Sequence, residues 1–457
     1  MTDRASRGAH GPEVNARRIS PRLALSFVFM VTVSAGLMPG AWADAVTVAP
    51  AFLPLDARAE AAIEALPMVH AASARAEESR ARGDALAASP YGFEATIAPQ
   101  VRFDHVAEAA WNEWEASLSR RLRLPGKAAL DRALGAAGVE AATLAVDDAR
   151  HMGARLLLER WFAWLRAALA TRVAQAQLAT VQAEQVAIGK RVSGGDLAIL
   201  DGDRAAAQTA RAELAVRQRR LERDQARLAL VGLFPAIELP PDLPTIPSPE
   251  AALPDVDAAV AKAVARSHEI AIALALAERQ QLNAARVQSN ERPDPSVGLR
   301  VLDESRHDQQ ALAVVISLPF ASAANRASAV AEGHLAAALA AEADGVRQEV
   351  AINARQLAEA VAARLEAWQA ARTALAATRD ALARVERAFA LGEAGYADVA
   401  LARRELQDAE YVEIAARLDA HETRLRLAVD SHDLWARHFH EDVHGHGEHA
   451  ETLKEPR

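Results

Sequence analysis

The same order of features occurs twice in this chain, offset by 194 to 197 residues. Each copy reads β-hairpin, Leu-Pro, very long alanine-rich helix, Gly-acidic turn, second helix. The first copy runs Leu124-Pro125-Gly126-Lys127-Ala128-Ala129-Leu130-Asp131-Arg132 and later Gly195-Asp196-Leu197-Ala198-Ile199-Leu200-Asp201. The second runs Leu318-Pro319-Phe320-Ala321-Ser322-Ala323-Ala324-Asn325-Arg326 and later Gly392-Glu393-Ala394-Gly395-Tyr396-Ala397-Asp398. A duplication of this size sets the architecture before any residue has a role. It also joins short strands to very long helices, whose solvent needs conflict unless the molecule passes from one environment into another.

The strands are two-faced. In 92–124, Phe93, Ala95, Ile97, Pro99, Val101 and Phe103 alternate with Glu94, Thr96, Gln100 and Arg102. After a loop near 104–110, Trp114, Ala116, Leu118 and Leu122 alternate with Glu113, Glu115, Ser117 and Arg121. The period of two repeats in 296–319, where Val297, Leu299, Val301, Leu312, Val314 and Ile316 share one face. Four strands cannot close a barrel, which takes about eight, and lipid does not tolerate open strand edges. Strands that meet lipid must therefore be pooled among several chains.

The helices need partners too. Residues 127–191 contain no proline and at ~1.5 Å per residue span roughly 95 Å; 321–390 is longer still. Each is followed by a short turn and a return helix (197–232 and 396–437), so the pattern predicts antiparallel coiled-coil hairpins. Residues 56–88 read as one modest helix, and the proline-rich stretch 235–254 reads as a linker.

The N-terminus has the order of a secretory signal over 1–43. Arg17, Arg18 and Arg22 precede an apolar run, Leu23 to Met38, and Ala41-Trp42-Ala43 has the small-x-small cleavage pattern. Removing that segment takes the net charge from −9 to about −12, which argues against a nucleic-acid partner. With no cysteine, there is no disulfide and no thiolate nucleophile. Beyond residue 43 no apolar run reaches the ~20 residues of a membrane-spanning helix.

The hairpin followed by Leu318-Pro319 and Asn325-Arg326, and the turn Leu391-Gly392-x3-Tyr396-x-Asp398-Val399, resemble the outer-membrane efflux protein family, the TolC-like exit ducts of tripartite pumps. The heavy-metal branch, with its CzcC- and CusC-like proteins, is the most similar. The match covers about residues 56 to 432. It implies a mainly α fold with a small β membrane part: duplicated coiled-coil hairpins and four strands per chain. A homotrimer then forms a 12-stranded β-barrel in the outer membrane, continuous with a periplasmic α-barrel. The implied organisation is a first repeat over 44–234, with its helical hairpin at 127–232. A second repeat covers 255–437, with its helical hairpin at 321–437, and a histidine-rich tail covers 438–457.

The resemblance makes the two helical turns periplasmic tips. Gly195 and Gly392 supply the reversals, with Tyr396 at the gate. Asp201 and Asp398 either line the tunnel end or stabilise the return helices by capping. Related ducts often carry a basic residue where this chain has Ala394, which leaves Arg403 or Arg404 as substitutes for a salt-bridged gate. Val192, Leu197, Ile199, Leu391 and Tyr396 look exposed; they either dock an adaptor or seal the coiled-coil end. Arg102, Arg121, Arg123 and Arg300 would line the lumen. The implied partners are a periplasmic adaptor (membrane fusion) protein and an inner-membrane RND-type transporter.

His438, His440, His444, His446 and His449 lie in the tail, and imidazole is a common ligand for divalent transition metals. A polar tail with incidental affinity is the competing reading. No Ser–His–acid set, phosphate loop or metalloprotease motif occurs, so neither an enzyme nor a cofactor is expected. The expected function is a passive duct, with divalent heavy-metal cations as cargo. A duct for organic solutes and a periplasmic coiled-coil scaffold are the alternatives.

Overall fold

The computed structural model describes residues 50–105, 108–304 and 308–435, which lie in one compact unit, 46–457. The signal-like segment 1–43 and the tail histidines fall outside the described residues. Two helices open the fold, α1 (Asp56–Glu64) and α2 (Pro67–Ala88). They replace the single helix expected over 56–88. Pro67 separates them, because proline lacks the N–H a helix interior needs but fits a first turn.

Strands β1 (Phe93–Asp104) and β2 (Ala109–Arg121) follow. Then come α3 (Pro125–Ser193, 69 residues) and its return helix α4 (Ile199–Leu233). The second copy repeats the plan with α5 (Val256–Arg266), α6 (His268–Gln288), β3 (Ser296–Glu304), β4 (Gln309–Ser317), α7 (Ala323–Ala390, 68 residues) and α8 (Tyr396–Asp430). Here Ser267 breaks the leading helix and caps α6, accepting a hydrogen bond from the Ile270 amide at 3.2 Å.

The four strands form one antiparallel sheet in the order β1-β2-β3-β4, leaving β1 and β4 as edges. The register aligns Ala95 with Leu118, Leu118 with Leu299 and Leu299 with Val314. That alignment gathers the apolar residues of both hairpins on one face, which lies bare: Ile97 is 75% and Leu312 74% exposed.

The opposite face is charged and internally paired. Glu113 is buried there, accepting from Gln100 Nε2, Arg102 Nε and Trp111 Nε1 at 3.0–3.1 Å. Arg300 pairs with Glu115 at 2.9 Å.

The main core sits along the middle of α3. Leu157, Leu158, Trp161, Phe162 and Leu165 pack with Phe52 and Leu53, with Ile63 of α1, and with Leu418 and Val429 of α8. Trp161 Nε1 donates to the Phe52 carbonyl at 2.9 Å. The proline-rich stretch is not helical, as expected, but it contributes buried Ile237 and Ile246 to this core. Arg424 donates to its Ala252 carbonyl at 2.7 Å.

Helix α8 stops at Asp430, short of the expected 437. Asp433 N bonds to Ala428 O at 2.7 Å and His432 N to Val429 O at 3.0 Å, with His432 at φ +57°. This is a Schellman ending with histidine where glycine is usual. Leu434 and Trp435 then fold back into the core.

Candidate functional site

Two places carry the geometry that matters, the tip of the helical hairpins and the junction between sheet and helices. At the tip, α3 and α7 end identically. Asp196 N bonds to Arg191 O and Glu393 N to Ala388 O, both at 2.9 Å, while Gly195 (φ +83°) and Gly392 (φ +78°) take the left-handed position. Any residue with a Cβ would be strained there by about 1–2 kcal/mol.

Asp201 and Asp398 occupy matching positions in their return helices but do different work. Asp398 Oδ2 accepts from the Gly395 amide at 2.9 Å, which is half of a capping box. Asp201 instead pairs with Arg204 at 3.5 Å, one turn along α4.

Of the five residues read as exposed at the turns, three are not. Tyr396 is 2% exposed, packed with Ile188 and Ala205 of the first hairpin, and Val192 and Leu197 pack against that cluster. Burial, with the Glu184 charge, pushes the Tyr396 phenol up to about 12. Ile199 and Leu391 remain bare, at 77% and 67% exposed.

Arg403 is neither free nor at the very tip. It pairs with Glu184 on α3 and, at 2.6 Å, with Glu386 on α7. Gln208 Nε2 adds a bond to the Ala400 carbonyl at 3.3 Å. Arg403 and Tyr396 together latch the second hairpin onto the first. Arg404 is exposed.

The sequence reading missed the junction. Lys127 and Asp294 form an ion pair at 3.1 Å with both side chains 3% exposed. Asp294 also accepts from Tyr91 Oη at 2.9 Å and from the Leu124 amide at 3.1 Å. Burial alone would raise the Asp294 pKa; the bonds from Leu124, Tyr91 and Lys127 outweigh it and hold the carboxyl below its usual range.

One step further in, Asp131 bridges Arg123 (3.0 Å) and Arg286. Arg123 also donates to the Ala87 carbonyl at 2.7 Å. It is therefore engaged inside the junction. The available signal was Lys127 and Asp131, two charges four apart at the start of an apolar helix.

Neither a family model nor a curated protein sequence matches this chain. Solved structures do. The CmeC outer membrane channel of Campylobacter jejuni superposes with a TM-score of 0.68 at 12% identity, covering 85% of this chain and 88% of that one. CusC, from structures concerned with folding and transmembrane channel formation, gives 0.66 at 16% identity, covering 82% and 91%. The outer membrane protein VceC of Vibrio cholerae gives 0.65 at 17% identity, covering 82% and 95%. The fold is that of the TolC-like outer-membrane channels, mostly helical with a small sheet.

Proposed function

We propose that this chain is the outer-membrane channel of a tripartite efflux system. It forms a passive exit duct, without catalysis, for substrates driven by an inner-membrane RND-type transporter through a periplasmic adaptor. The observation that carries this reading is the sheet, whose bare apolar face and two unpaired edges suit lipid only when other copies complete the wall. No described helix is long and apolar enough to cross a membrane, so the strands bear that role. Three copies would supply twelve strands, and the helical hairpins would extend into the periplasm as a tunnel. A coiled-coil scaffold has no use for such a sheet.

In this reading the tip opens as the Arg403 and Tyr396 latch releases, and Ile199 and Leu391 are the apolar points an adaptor grips. Divalent heavy-metal cations are the proposed cargo. The net charge of −9 and the tail histidines support that choice.

The chain has no cysteine, which gives a clean test. Single cysteines placed on β1 and β4 should cross-link between copies into a ladder ending at a trimer in outer-membrane extracts. A detergent-free soluble monomer would refute the channel. A deletion strain should become sensitive to zinc, cobalt, nickel, cadmium or copper. Unchanged tolerance to all five would refute the cargo while leaving the duct intact.

A further inference from the structure

Three histidines far apart in sequence meet beside a cavity of about 450 Å³. His151 comes from α3, His268 opens α6, and His432 holds the left-handed position after α8. Their ring centroids are 6.0 Å apart for His151 and His268, 5.1 Å for His151 and His432, and 4.6 Å for His268 and His432.

Three imidazoles on one tetrahedral ion, with metal–nitrogen bonds of about 2.1 Å, would have centroids about 5 Å apart. The observed spacings bracket that figure. Among the described residues no three His, Asp or Glu side chains are already gathered around one point, and the His268 and His432 rings stack at 23°. Binding therefore requires rotation of side chains, and the adjoining cavity gives them room.

Carboxylates stand around the cluster. Asp430 Oδ1 lies 3.6 Å from His151 Nε2. Glu269 lines the same cavity. Asp148, one turn from His151 on α3, has an Oδ1 that is shut off from solvent and accepts no hydrogen bond. The opposing cations are Arg155, already paired with Asp430 at 2.7 Å and Glu269 at 3.3 Å, and Arg426, which lines the cavity. Three carboxylates against two guanidiniums leave a site that favours a cation. Three imidazoles select a transition metal over magnesium or calcium. The left-handed backbone at His432, uncommon outside glycine, is a local cost that positions this ring beside the other two.

We propose that His151, His268 and His432, with Asp148 or Asp430 as an oxygen ligand, form a binding site for one divalent transition-metal ion that ties the first repeat to the second. This site is distinct from the histidine tail and does not require metal to be the exported cargo; the deletion-strain assay and metal binding by purified protein are read separately.

The test uses the full-length chain in detergent with the five tail histidines replaced (H438A, H440A, H444A, H446A, H449A). Titration with Co²⁺ should load one ion per chain with visible ligand-field bands. Zn²⁺ should displace it and Mg²⁺ should not. His432→Asn keeps a residue tolerant of the left-handed backbone. It and His268→Gln should each weaken Co²⁺ binding at least about tenfold and alter the bands, with circular dichroism unchanged; Asp148→Asn should weaken it less. Absence of Co²⁺ uptake by the tail-substituted chain would overturn the site. So would full affinity in both the His268→Gln and His432→Asn variants, or displacement by Mg²⁺.

Discussion

The long helices α3 and α7 are copies of one another, 69 and 68 residues long, yet they live in different surroundings. Helix α3 buries a continuous aromatic and aliphatic seam around Trp161, Phe162 and Trp164, covered by α1, the proline-rich stretch and the end of α8. Helix α7 buries mainly alanines with Val361, Leu365, Trp368 and Leu375, and leaves Val330, Leu335 and Ile352 in the open. The junctions differ in the same way. The first is locked by Lys127–Asp294 and Asp131. In the second, Phe320 is 92% exposed, and the Asn325 side chain donates to the Asn290 carbonyl at 2.9 Å and accepts from Ser322 Oγ at 2.7 Å, with no ion pair at that position among the described residues. Duplication supplied two equal units; the first became the internal core and the second kept a free face, which in the proposed trimer meets another copy.

The contrast is easiest to break in the core. Phe162→Ala should destabilise the chain by about 3–5 kcal/mol, whereas Ile352→Ala should change a single chain by less than about 0.5 kcal/mol. Denaturation of detergent-solubilised protein checks the first. If Ile352→Ala also leaves trimer melting untouched, the free face of α7 is not an interface.

Lys127→Ala strands the Asp294 carboxylate in a buried place and should cost about 3–5 kcal/mol, while Asn325→Ala at the second junction should cost about 1 kcal/mol. Equal losses would erase the asymmetry.

At the tip, Arg403→Gln leaves Glu184 without its partner and should cost about 2 kcal/mol, less than a fully buried pair because the site is partly hydrated. Its readout is higher single-channel conductance in planar bilayers. Here the copies match, so Gly195→Ala and Gly392→Ala should cost the same, about 1–2 kcal/mol each.

The smallest effect concerns pH. Burial, with the nearby Arg417 charge, holds the pKa of His421 below its ordinary value despite its contact with the Pro247 carbonyl. The unfolded chain then binds the proton more readily. The stability His421 contributes is present above pH 6.5 and is lost as pH falls below it. His421→Gln should flatten that slope between pH 7 and 5.

What the sequence made legible was local and periodic. The alternation within each hairpin survives in the register, which then brings Ile97 and Leu299 onto one face, and the glycines at 195 and 392 hold the left-handed positions of the turns. The break between α1 and α2 also has a local signal in Pro67, which fits a first helical turn but not a helix interior. The rest depends on residues brought together from far apart. Asp294 lies 167 positions from Lys127, and nothing local marks either as buried. Asp201 and Asp398 share a sequence context, so only the folded turns separate ion pairing from capping. Tyr396 looked like a surface residue because its cover, Ile188 and Ala205, belongs to the other copy.

The bare edges of β1 and β4 also bear on how the protein is made. Each single copy carries two unsatisfied rows of amides and carbonyls that any passing strand can join. Until siblings arrive, such a copy is a seed for tangled aggregates. In the proposed channel, production would therefore have to keep step with encounter between copies.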